Sequence, residues 1–438
     1  MVGEEMRSNI LKNYFSLFTG EIVSRLINYG SLILVVRIVD VAVFGKYSIL
    51  LAIYGFIGII VGFGLDTLSI QKMREFELKQ IILQNIKIKA ILCLIVSPFL
   101  YLSLTIFTNG VEISVIFSLM MVGLFSVLFN LDFVFKYQER MKIISQANIL
   151  VSVSYFICIL FFLSYSLSLN LLLVAFTFSQ IVRTAYLALI FLNQEKKVDI
   201  SESLQKIELK EYVLSAIPIV GSSIMIWVYY QSDTLLIKVF KDDIQVGIYS
   251  AAYKIIILIG GLQFIYNQSI FPSLAKVLEN SREEMKEKFT VYFNKFYLYS
   301  CAFFPLLLVF SKPVIENIFG ERYLDSVLPF DILLLALFFI FNEATTAPLL
   351  LARGKSKEHF KSVALGAILN LLLNLFLIPQ WGLLGASIST VIAELMVFLT
   401  LIYFSSQYLK ISIKKMVLKV LLFEILLLTI LIFKYGFN

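Results

Sequence analysis

Three basic residues lie inside long apolar segments of this 438-residue chain. Arg25, Arg183 and Lys254 each occur within a run of about 20 largely apolar residues, which is the length that a membrane-spanning helix needs. A charged side chain near the bilayer centre costs roughly 2.5–3.5 kcal/mol, so such a residue normally faces a bundle interior or a water-filled cavity. Several cations inside a bundle therefore favour a central cavity that binds an anionic ligand.

The residues around these cations are also polar. Glu21, Arg25 and Asn28 share one face of the first apolar run, at about 100° per residue. Glu21 and Arg25 are four residues apart and can pair, and such a pair could serve helix packing alone. Lys254 is the best single candidate for an anion contact, although a lysine two turns from a helix end can also reach the membrane surface. Arg183 could instead donate to a backbone carbonyl.

Acidic residues in or beside the apolar runs are candidates for binding a coupling proton or Na⁺ ion. Asp66 and Asp233 could equally be solvated ends of membrane spans. The predicted coupling or gating residues are Glu21, Asp66, Asp233, Glu343 and Glu394.

The composition is that of a polytopic membrane protein. The chain is 59% hydrophobic and 15% charged, whereas soluble domains are nearer half apolar and a quarter charged. Its three cysteines have no metal-binding spacing, and His359 is its one histidine. We therefore expect no cofactor, metal site or catalytic residues.

The predicted fold class is an all-α integral membrane protein. The predicted spans are 12–37, 46–66, 83–108, 112–135, 147–168, 170–193, 212–237, 246–271, 293–311, 327–351, 359–378 and 383–408, with a possible thirteenth at 416–434.

Loop charges predict the orientation and the division of the chain. Lysine and arginine concentrate in one set of loops, which places the N-terminus in the cytoplasm. The net charge of +7 then belongs mainly to a surface beside anionic lipids, and no nucleic-acid partner is needed. We predict six-helix lobes at 1–193 and 212–408, a cytoplasmic linker at 194–211, and a basic segment with the possible extra helix at 409–438. Short connections at 164–170 and 379–382 predict tight hairpins.

An internal repeat supports two lobes. The segment 44–48 (FGKYS) opens the second span and 246–250 (VGIYS) opens the eighth, about 200 residues later. Parallel repeats of this kind relate two lobes by a pseudo-twofold axis along the membrane normal, with the substrate site at their interface.

At these residues the chain resembles the polysaccharide flippases of the multidrug/oligosaccharidyl-lipid/polysaccharide exporter superfamily. The matching pieces keep their order over residues 12–408. They are Arg37 with 44–47 (FGKY), 62–65 (GFGL), 246–254 (VGIYSAAYK), 271–272 (FP), 318–320 (IFG) with Tyr323, 354–355 (GK), and Asn370 through 374–379 (NLFLIP) to 382–387 (GLLGAS). That family usually has twelve or fourteen helices, so a thirteenth would depart from it.

The resemblance implies a transporter of the bacterial cytoplasmic membrane. It would move polyprenyl-diphosphate-linked oligosaccharides to the outer leaflet for O-antigen, capsule or exopolysaccharide synthesis. Its partners would be this lipid-linked oligosaccharide, membrane lipids and polysaccharide assembly proteins. The candidate substrate-binding residues are Arg25, Asn28, Arg183 and Lys254.

Two other functions stay open. A multidrug/cation antiporter of the same superfamily would hold carboxylates for cationic drugs, whereas the clearest buried charges of the N-terminal lobe are arginines. A membrane-embedded glycan polymerase or glycosyltransferase would need a large outer loop or an acid and a base presented together, and the predicted outer loops are short.

The loop charges give a first testable prediction. Single cysteines placed at 196–210 or 353–361 should face the cytoplasm, and those at 238–243 or 312–325 should face outward, in a background without the three native cysteines. An impermeant thiol reagent applied to intact cells should therefore label only the second group. Labelling of only the first group would invert the topology.

Overall fold

The computed structural model of the protein describes residues 2–73, 75–107, 113–165, 167–195, 208–277, 281–412 and 414–436, with side chains from residue 19 onward except at 194, 195, 264, 268, 269, 272 and 275. Within these ranges the chain forms α-helices, two short 3₁₀ turns and no strand. The helices are α1 Val2–Ile38, α2 Val41–Gly62, α3 Leu65–Lys72, α4 Leu78–Phe107, α5 Ile113–Leu128, α6 Asp132–Tyr137, α7 Met141–Phe162, α8 Leu169–Glu195, α9 Leu209–Phe240, α10 Asp243–Ala275, α11 Arg282–Phe319, α12 Val327–Asn342, α13 Thr346–Ala352, α14 Ser356–Trp381, α15 Leu383–Leu409 and α16 Lys414–Gly436.

The chain divides into two compact units. Unit 1 is Met1–Trp227 and unit 2 is Val228–Asn438, so α9 contributes to both. In unit 1, α7 packs against α1 and α8, while α5 packs against α4 and α8. In unit 2, α12 packs against α10, α11, α15 and α16, and α14 packs against α15. The predicted linker at 194–211 lies mostly outside the described residues, so the predicted lobe boundaries stay predictions.

Twelve segments of the described chain are long and apolar enough to cross a membrane, which confirms the predicted fold class. They begin with Val41–Lys72 and end with Lys414–Gly436. The last is α16, so the possible thirteenth run does form a helix of membrane-spanning length. Helix α1 is not among the twelve. Its 37 residues correspond to roughly 55 Å, and Glu21, Arg25 and Arg37 lower its hydropathy.

Three predicted spans are interrupted helices. The run at 46–66 breaks between α2 and α3, the run at 112–135 breaks between α5 and α6, and the run at 327–351 breaks between α12 and α13. A break inside a membrane frees backbone N–H and C=O groups, which must then be satisfied by the protein or by water in a cavity. Such breaks are therefore places where polar side chains are expected to gather.

The break between α2 and α3 depends on Gly64. Phe63 and Gly64 both adopt left-handed backbone angles, with φ of 48° and 67°. A Cβ added at Gly64 would lie 2.9 Å from Cβ of Ile219 and 3.2 Å from the backbone nitrogen of Val220. Glycine accommodates both the positive φ and the close approach of α9, so the chain can turn here without a clash.

Both predicted hairpins are confirmed. A short 3₁₀ turn, Leu163–Tyr165, lies between α7 and α8. Gly382 alone separates α14 from α15, with a φ of 56° and its N–H donating to the carbonyl of Ile378. These connections make α7–α8 and α14–α15 antiparallel neighbours. The second pair contains the buried polar residues Asn370, Asn374 and Glu394.

Candidate functional site

The polar face of α1 divides into a buried and an accessible part. Ser24 and Ser31 are buried, and the Ser31 hydroxyl donates to the carbonyl of Ile27 at 2.9 Å. Arg25 Nε donates to Glu21 Oε1 at 3.0 Å, which confirms the predicted pair. These two side chains stay 43% and 49% exposed, and Asn28 is also exposed. The accessible part thus presents a guanidinium for which the described part of the chain shows a hydrogen bond from Nε only.

A buried lysine in unit 1 pairs with one of the predicted acids. Lys89 on α4 is 1% exposed, and its Nζ lies 2.7 Å from Oδ1 of Asp66, the second residue of α3. The same Nζ donates to the carbonyl of Val127 at 3.1 Å. Asn130, in the break between α5 and α6, donates to the other oxygen of Asp66 at 2.7 Å. Asp66 is therefore a partner of a buried cation, although 32% of its side chain stays exposed.

Arg183 is paired with a second acid of the same unit. Its Nη2 donates to both carboxylate oxygens of Asp132, at 2.8 and 2.6 Å. Asp132 is the first residue of α6, and its backbone N–H donates to Oδ1 of Asn130 at 3.1 Å. The positive charge of Arg183 is thus compensated within unit 1.

These contacts form one polar chain, Lys89–Asp66–Asn130–Asp132–Arg183, which links two helix breaks. Asp66 and Asp132 flank Asn130, and the two cations lie at the ends of the chain, so its formal charges cancel. This arrangement avoids the penalty of an isolated charge in a low-dielectric interior. It holds α3, α4, α6 and α8 to one another.

A mostly apolar cavity of about 490 Å³ borders this polar chain. Asn85 and Asn130 are among its lining residues, and apolar residues of α4, α5 and α8 form most of the wall. The Asn85 amide also donates to the Ser69 hydroxyl at 2.8 Å and accepts from the Tyr212 hydroxyl at 3.0 Å. Tyr212 therefore fixes the first part of α9 to unit 1.

In unit 2, Asp233 lies at the centre of a hydrogen-bond cluster. The side chain of Asp233 on α9 is buried, with the residue 3% exposed. Tyr249 on α10 donates to Oδ2 at 2.5 Å, and Asn374 on α14 donates to Oδ1 at 2.5 Å. Thr390 on α15 donates to Oδ2 at 3.2 Å, and Asn374 donates also to Oδ1 of Asn370 at 3.0 Å. The three partners of Asp233 are neutral, and they come from three helices.

Two further predicted acids lie beside this cluster. Tyr229, one turn before Asp233, donates a hydrogen bond to Glu394 on α15. Glu343 lies in the break between α12 and α13, and its buried Oε2 has no hydrogen-bond partner in the described part of the chain. The charges of Glu343 and Glu394 are close enough to interact, as are those of Glu394 and Asp233. The structure thus brings together the three predicted acids of unit 2.

Lys254 lies on α10 of the same unit and is partly buried. It follows Tyr253, whose ring stacks on that of Tyr249 with 5.7 Å between centroids. Lys254 is therefore five residues beyond Tyr249, which donates to Asp233. This places a cationic side chain on the same helix as part of the acidic cluster.

Sequence reasoning did not identify Lys89, Asn130 and Asp132 as members of a polar chain. Lys89 follows Lys87 near the start of a predicted span, where lysines ordinarily extend to the membrane surface. Asp132 lies inside the predicted span 112–135. A carboxylate at such a position indicates a buried partner or a function. Asn370 and Asn374 contributed to the family resemblance, and in the structure both belong to the Asp233 cluster.

The fold is similar to that of solved membrane transporters. A structure described as "Lipid II flippase MurJ, inward closed conformation" matches with a TM-score of 0.72 and 14% identity, over 96% of this chain and 98% of that chain. An inward-facing multidrug resistance MATE family transporter of the MOP superfamily matches with a TM-score of 0.61 and 14% identity, over 89% of this chain and 96% of that chain. At such identities the likeness concerns the fold.

Sequence comparison gives the family. Capsular polysaccharide biosynthesis protein CapF of Staphylococcus aureus is 21% identical over 406 residues, which cover 90% of this chain and 99% of that protein. The family described as "Polysaccharide biosynthesis protein" matches residues 10–278, more than half of the chain. The chain belongs to this family, and the resemblance inferred from the sequence motifs is confirmed.

The polar chain of unit 1 gives a prediction about stability. Asp66→Asn should lower the unfolding free energy by about 2–3 kcal/mol, because it leaves the Lys89 ammonium buried without a carboxylate. The double variant Asp66→Asn/Lys89→Met should recover most of this loss. Chemical denaturation of the purified proteins measures both values.

A matched control is Lys72→Met, which removes the more exposed Lys72–Glu75 pair at the C-terminal end of α3. It should change stability by less than about 1 kcal/mol. Additive losses in the Asp66/Lys89 double variant would show that the two side chains do not depend on each other.

Proposed function

We propose that this protein is a flippase that moves polyprenyl-diphosphate-linked oligosaccharides from the cytoplasmic to the outer leaflet of a bacterial cytoplasmic membrane. The observation that carries the proposal is the half-exposed Arg25 on α1 in a membrane protein of a polysaccharide biosynthesis family. The transported lipid-linked unit would serve O-antigen, capsule or exopolysaccharide synthesis, alongside polysaccharide assembly proteins. The N-terminus would be cytoplasmic, as the loop charges indicate.

Arg25 and Lys254 are the proposed contacts of the diphosphate. Arginine can donate two parallel hydrogen bonds to a phosphate. Arg25 Nε donates to Glu21, so its two terminal nitrogens can donate hydrogen bonds to an incoming anion. Asn28 is exposed one turn along α1 and can donate to the same headgroup. Arg183 would have to exchange Asp132 for a phosphate, so we assign the main contacts to Arg25 and Lys254.

Competition from Glu21 would allow Arg25 to release the phosphate of the headgroup. The Glu21 carboxylate and a substrate phosphate are both acceptors for the Arg25 guanidinium. Since the Arg25–Glu21 pair is half-exposed, exchange between the two acceptors costs less than it would for a buried pair. Glu21 would hold Arg25 in place before the headgroup arrives and compete with it afterwards.

The membrane potential can contribute to the driving force. One charge moving across 100 mV is worth about 2.3 kcal/mol. A headgroup with two uncompensated negative charges gains roughly twice that when it moves outward from a negative cell interior. The protein would work by alternating access, with the lipid tail remaining in the bilayer. The membrane potential can then drive outward movement of the headgroup without an obligatory co-transported ion.

The acidic cluster of unit 2 is the proposed ion-coupling element. Asp233, Glu343 and Glu394 are buried or partly buried, and the described partners of Asp233 and Glu394 are neutral hydroxyl and amide groups. A bound proton or Na⁺ ion would compensate such carboxylates and could reset the empty carrier. Asp66 belonged to the same predicted set, but its pairing with Lys89 assigns it to the polar chain of unit 1.

A multidrug/cation antiporter remains the second candidate, and the same acidic cluster favours it. Buried carboxylates suit a cationic drug as well as a coupling ion. The family match and the accessible arginine on α1 favour the anionic, lipid-linked substrate. The two functions predict opposite charges on the transported molecule.

Substitution of the two cations tests the anionic assignment. Arg25→Ala and Lys254→Ala should each slow flipping of a diphosphate-linked oligosaccharide in vesicles about 10–100-fold, since a charge-assisted hydrogen bond is worth roughly 1.5–3 kcal/mol. Arg25→Lys should be impaired as well, because lysine cannot make the paired contacts of a guanidinium.

The exposed Lys87 on α4 supplies the control, and Lys87→Ala should flip at the wild-type rate. Normal flipping by both Arg25→Ala and Lys254→Ala, at equal protein amounts, would remove these residues from the substrate site.

Ion coupling has its own test. If the cluster around Asp233 binds the coupling ion, an imposed Na⁺ or proton gradient should accelerate flipping by the wild type but not by Asp233→Asn. Asp325→Asn, which alters an exposed carboxylate in the turn before α12, should keep the response. An unchanged response in Asp233→Asn would place the coupling ion elsewhere.

A further inference from the structure

The C-terminal helix contains a buried carboxyl group that the proposed transport cycle does not use. Glu424 is the eleventh of the 23 residues of α16, so it lies near the middle of a helix of membrane-spanning length. The residue is 5% exposed. Both of its carboxyl oxygens are buried, and neither has a hydrogen-bond partner in the described part of the chain.

Glu424 lies in the seam that attaches α16 to unit 2. The buried residues of α16 are Val420, Glu424 and Leu427, which recur at the spacing of one helix face. This face packs against α11 and α12, and Phe423 stacks on Phe338 of α12 with 5.3 Å between ring centroids. An acidic side chain therefore occupies the middle position of an otherwise apolar packing seam.

An ionised carboxylate does not fit this position. A buried charge without a partner is strongly unfavourable, and a titratable group in that situation binds or releases a proton instead. A metal cation would need several oxygen ligands, whereas the flanking seam residues Val420 and Leu427 are apolar. A proton is the one cation that a single carboxyl group can hold alone.

The other titratable groups of the seam are already engaged or distant along the helix. Tyr297 of α11 donates to the carbonyl of Lys419 at 3.1 Å, and Cys301 lies one turn further on. Asp331 of α12 accepts from Lys434 Nζ at 2.7 Å and from the Tyr435 hydroxyl at 2.8 Å, about three turns from Glu424. Besides Glu424, α16 itself carries Lys414, Lys415, Lys419, Lys434 and Tyr435. Tyr297 of α11 and Asp331 of α12 contact α16 in the described part of the chain.

We propose that Glu424 is a proton-binding site in the membrane interior, protonated while α16 is packed and deprotonated only when its seam with α11 and α12 opens. On release, the proton passes to water that enters the opened seam, and the carboxylate is left hydrated. The Lys434–Asp331 contact attaches the far end of α16 by an ion pair that needs no such proton. Protonation of Glu424 therefore controls the packing of the middle of the helix.

Reaction with dicyclohexylcarbodiimide tests the protonation state. This apolar reagent adds to protonated carboxyl groups and leaves an N-acylurea, which peptide mass spectrometry locates. Glu424 should be modified in the purified wild-type protein in vesicles, and faster in mildly acidic than in alkaline buffer. A water-soluble carbodiimide should leave it unmodified. The comparison is Glu358 on α14, whose side chain is 31% exposed and whose Oε1 lies 3.9 Å from Lys355 Nζ. It should not react with the apolar reagent.

Infrared spectroscopy supplies an independent measurement of the same proton. The spectrum of the wild type at neutral pH should contain a carbonyl band of a protonated carboxyl that Glu424→Gln lacks. Absence of this band would overturn the proposal whatever the carbodiimide result, because it would mean that Glu424 is ionised in the packed seam.

A cysteine at the buried Leu427 position tests the coupling to helix packing. In a background without native cysteines, Leu427→Cys should react several-fold faster with a thiol reagent when Glu424 is present than when it is replaced by Gln, if both are measured in the same alkaline buffer. At mildly acidic pH the two proteins should react equally slowly. Equal rates in the alkaline buffer would show that the Glu424 proton does not control the seam.

Discussion

The constraint on which this structure depends is that polar and charged groups inside a bilayer must be compensated by the protein itself. Each unit meets it differently. In unit 1, Lys89 and Arg183 are matched by Asp66 and Asp132 through Asn130, and the charges of this chain cancel. In unit 2, Asp233 and Glu394 are held by neutral donors. The charge-neutral polar chain of unit 1 suits a structural role, whereas the carboxylates of unit 2, held by neutral donors, suit an ion that binds and dissociates.

The same constraint separates Arg25 from Lys89 and Arg183, the cations of the polar chain in unit 1. Lys89 is enclosed and Arg183 is largely so, and each has a carboxylate at 2.6–2.7 Å. Arg25 has a carboxylate at 3.0 Å, but both partners are about half-exposed. A guanidinium that is held but still accessible can exchange its acceptor, and this property connects the physical chemistry of α1 to the proposed transport of an anionic headgroup.

Much of the fold follows from the sequence, because apolar runs, loop charges and the turns at 163–165 and 382 are local signals. The helix breaks were not predicted. The break at Gly64 depends on the close approach of α9, which no local pattern contains. Asp233, Glu343 and Glu394 were identified as candidate sites because an acid in an apolar run needs a partner or a function. Lys89 was missed because a lysine near the start of a span is normally explained by contact with the membrane surface.

The central claim is that the transported headgroup is anionic, and it is tested most directly by transport of two matched substrates. The purified protein would be reconstituted in vesicles with a diphosphate-linked oligosaccharide lipid or with the same glycan on the same lipid through a neutral linkage. The account predicts rapid flipping of the diphosphate-linked lipid and little flipping of its neutral counterpart. Equal rates for the two lipids, or faster flipping of the neutral one, would contradict it.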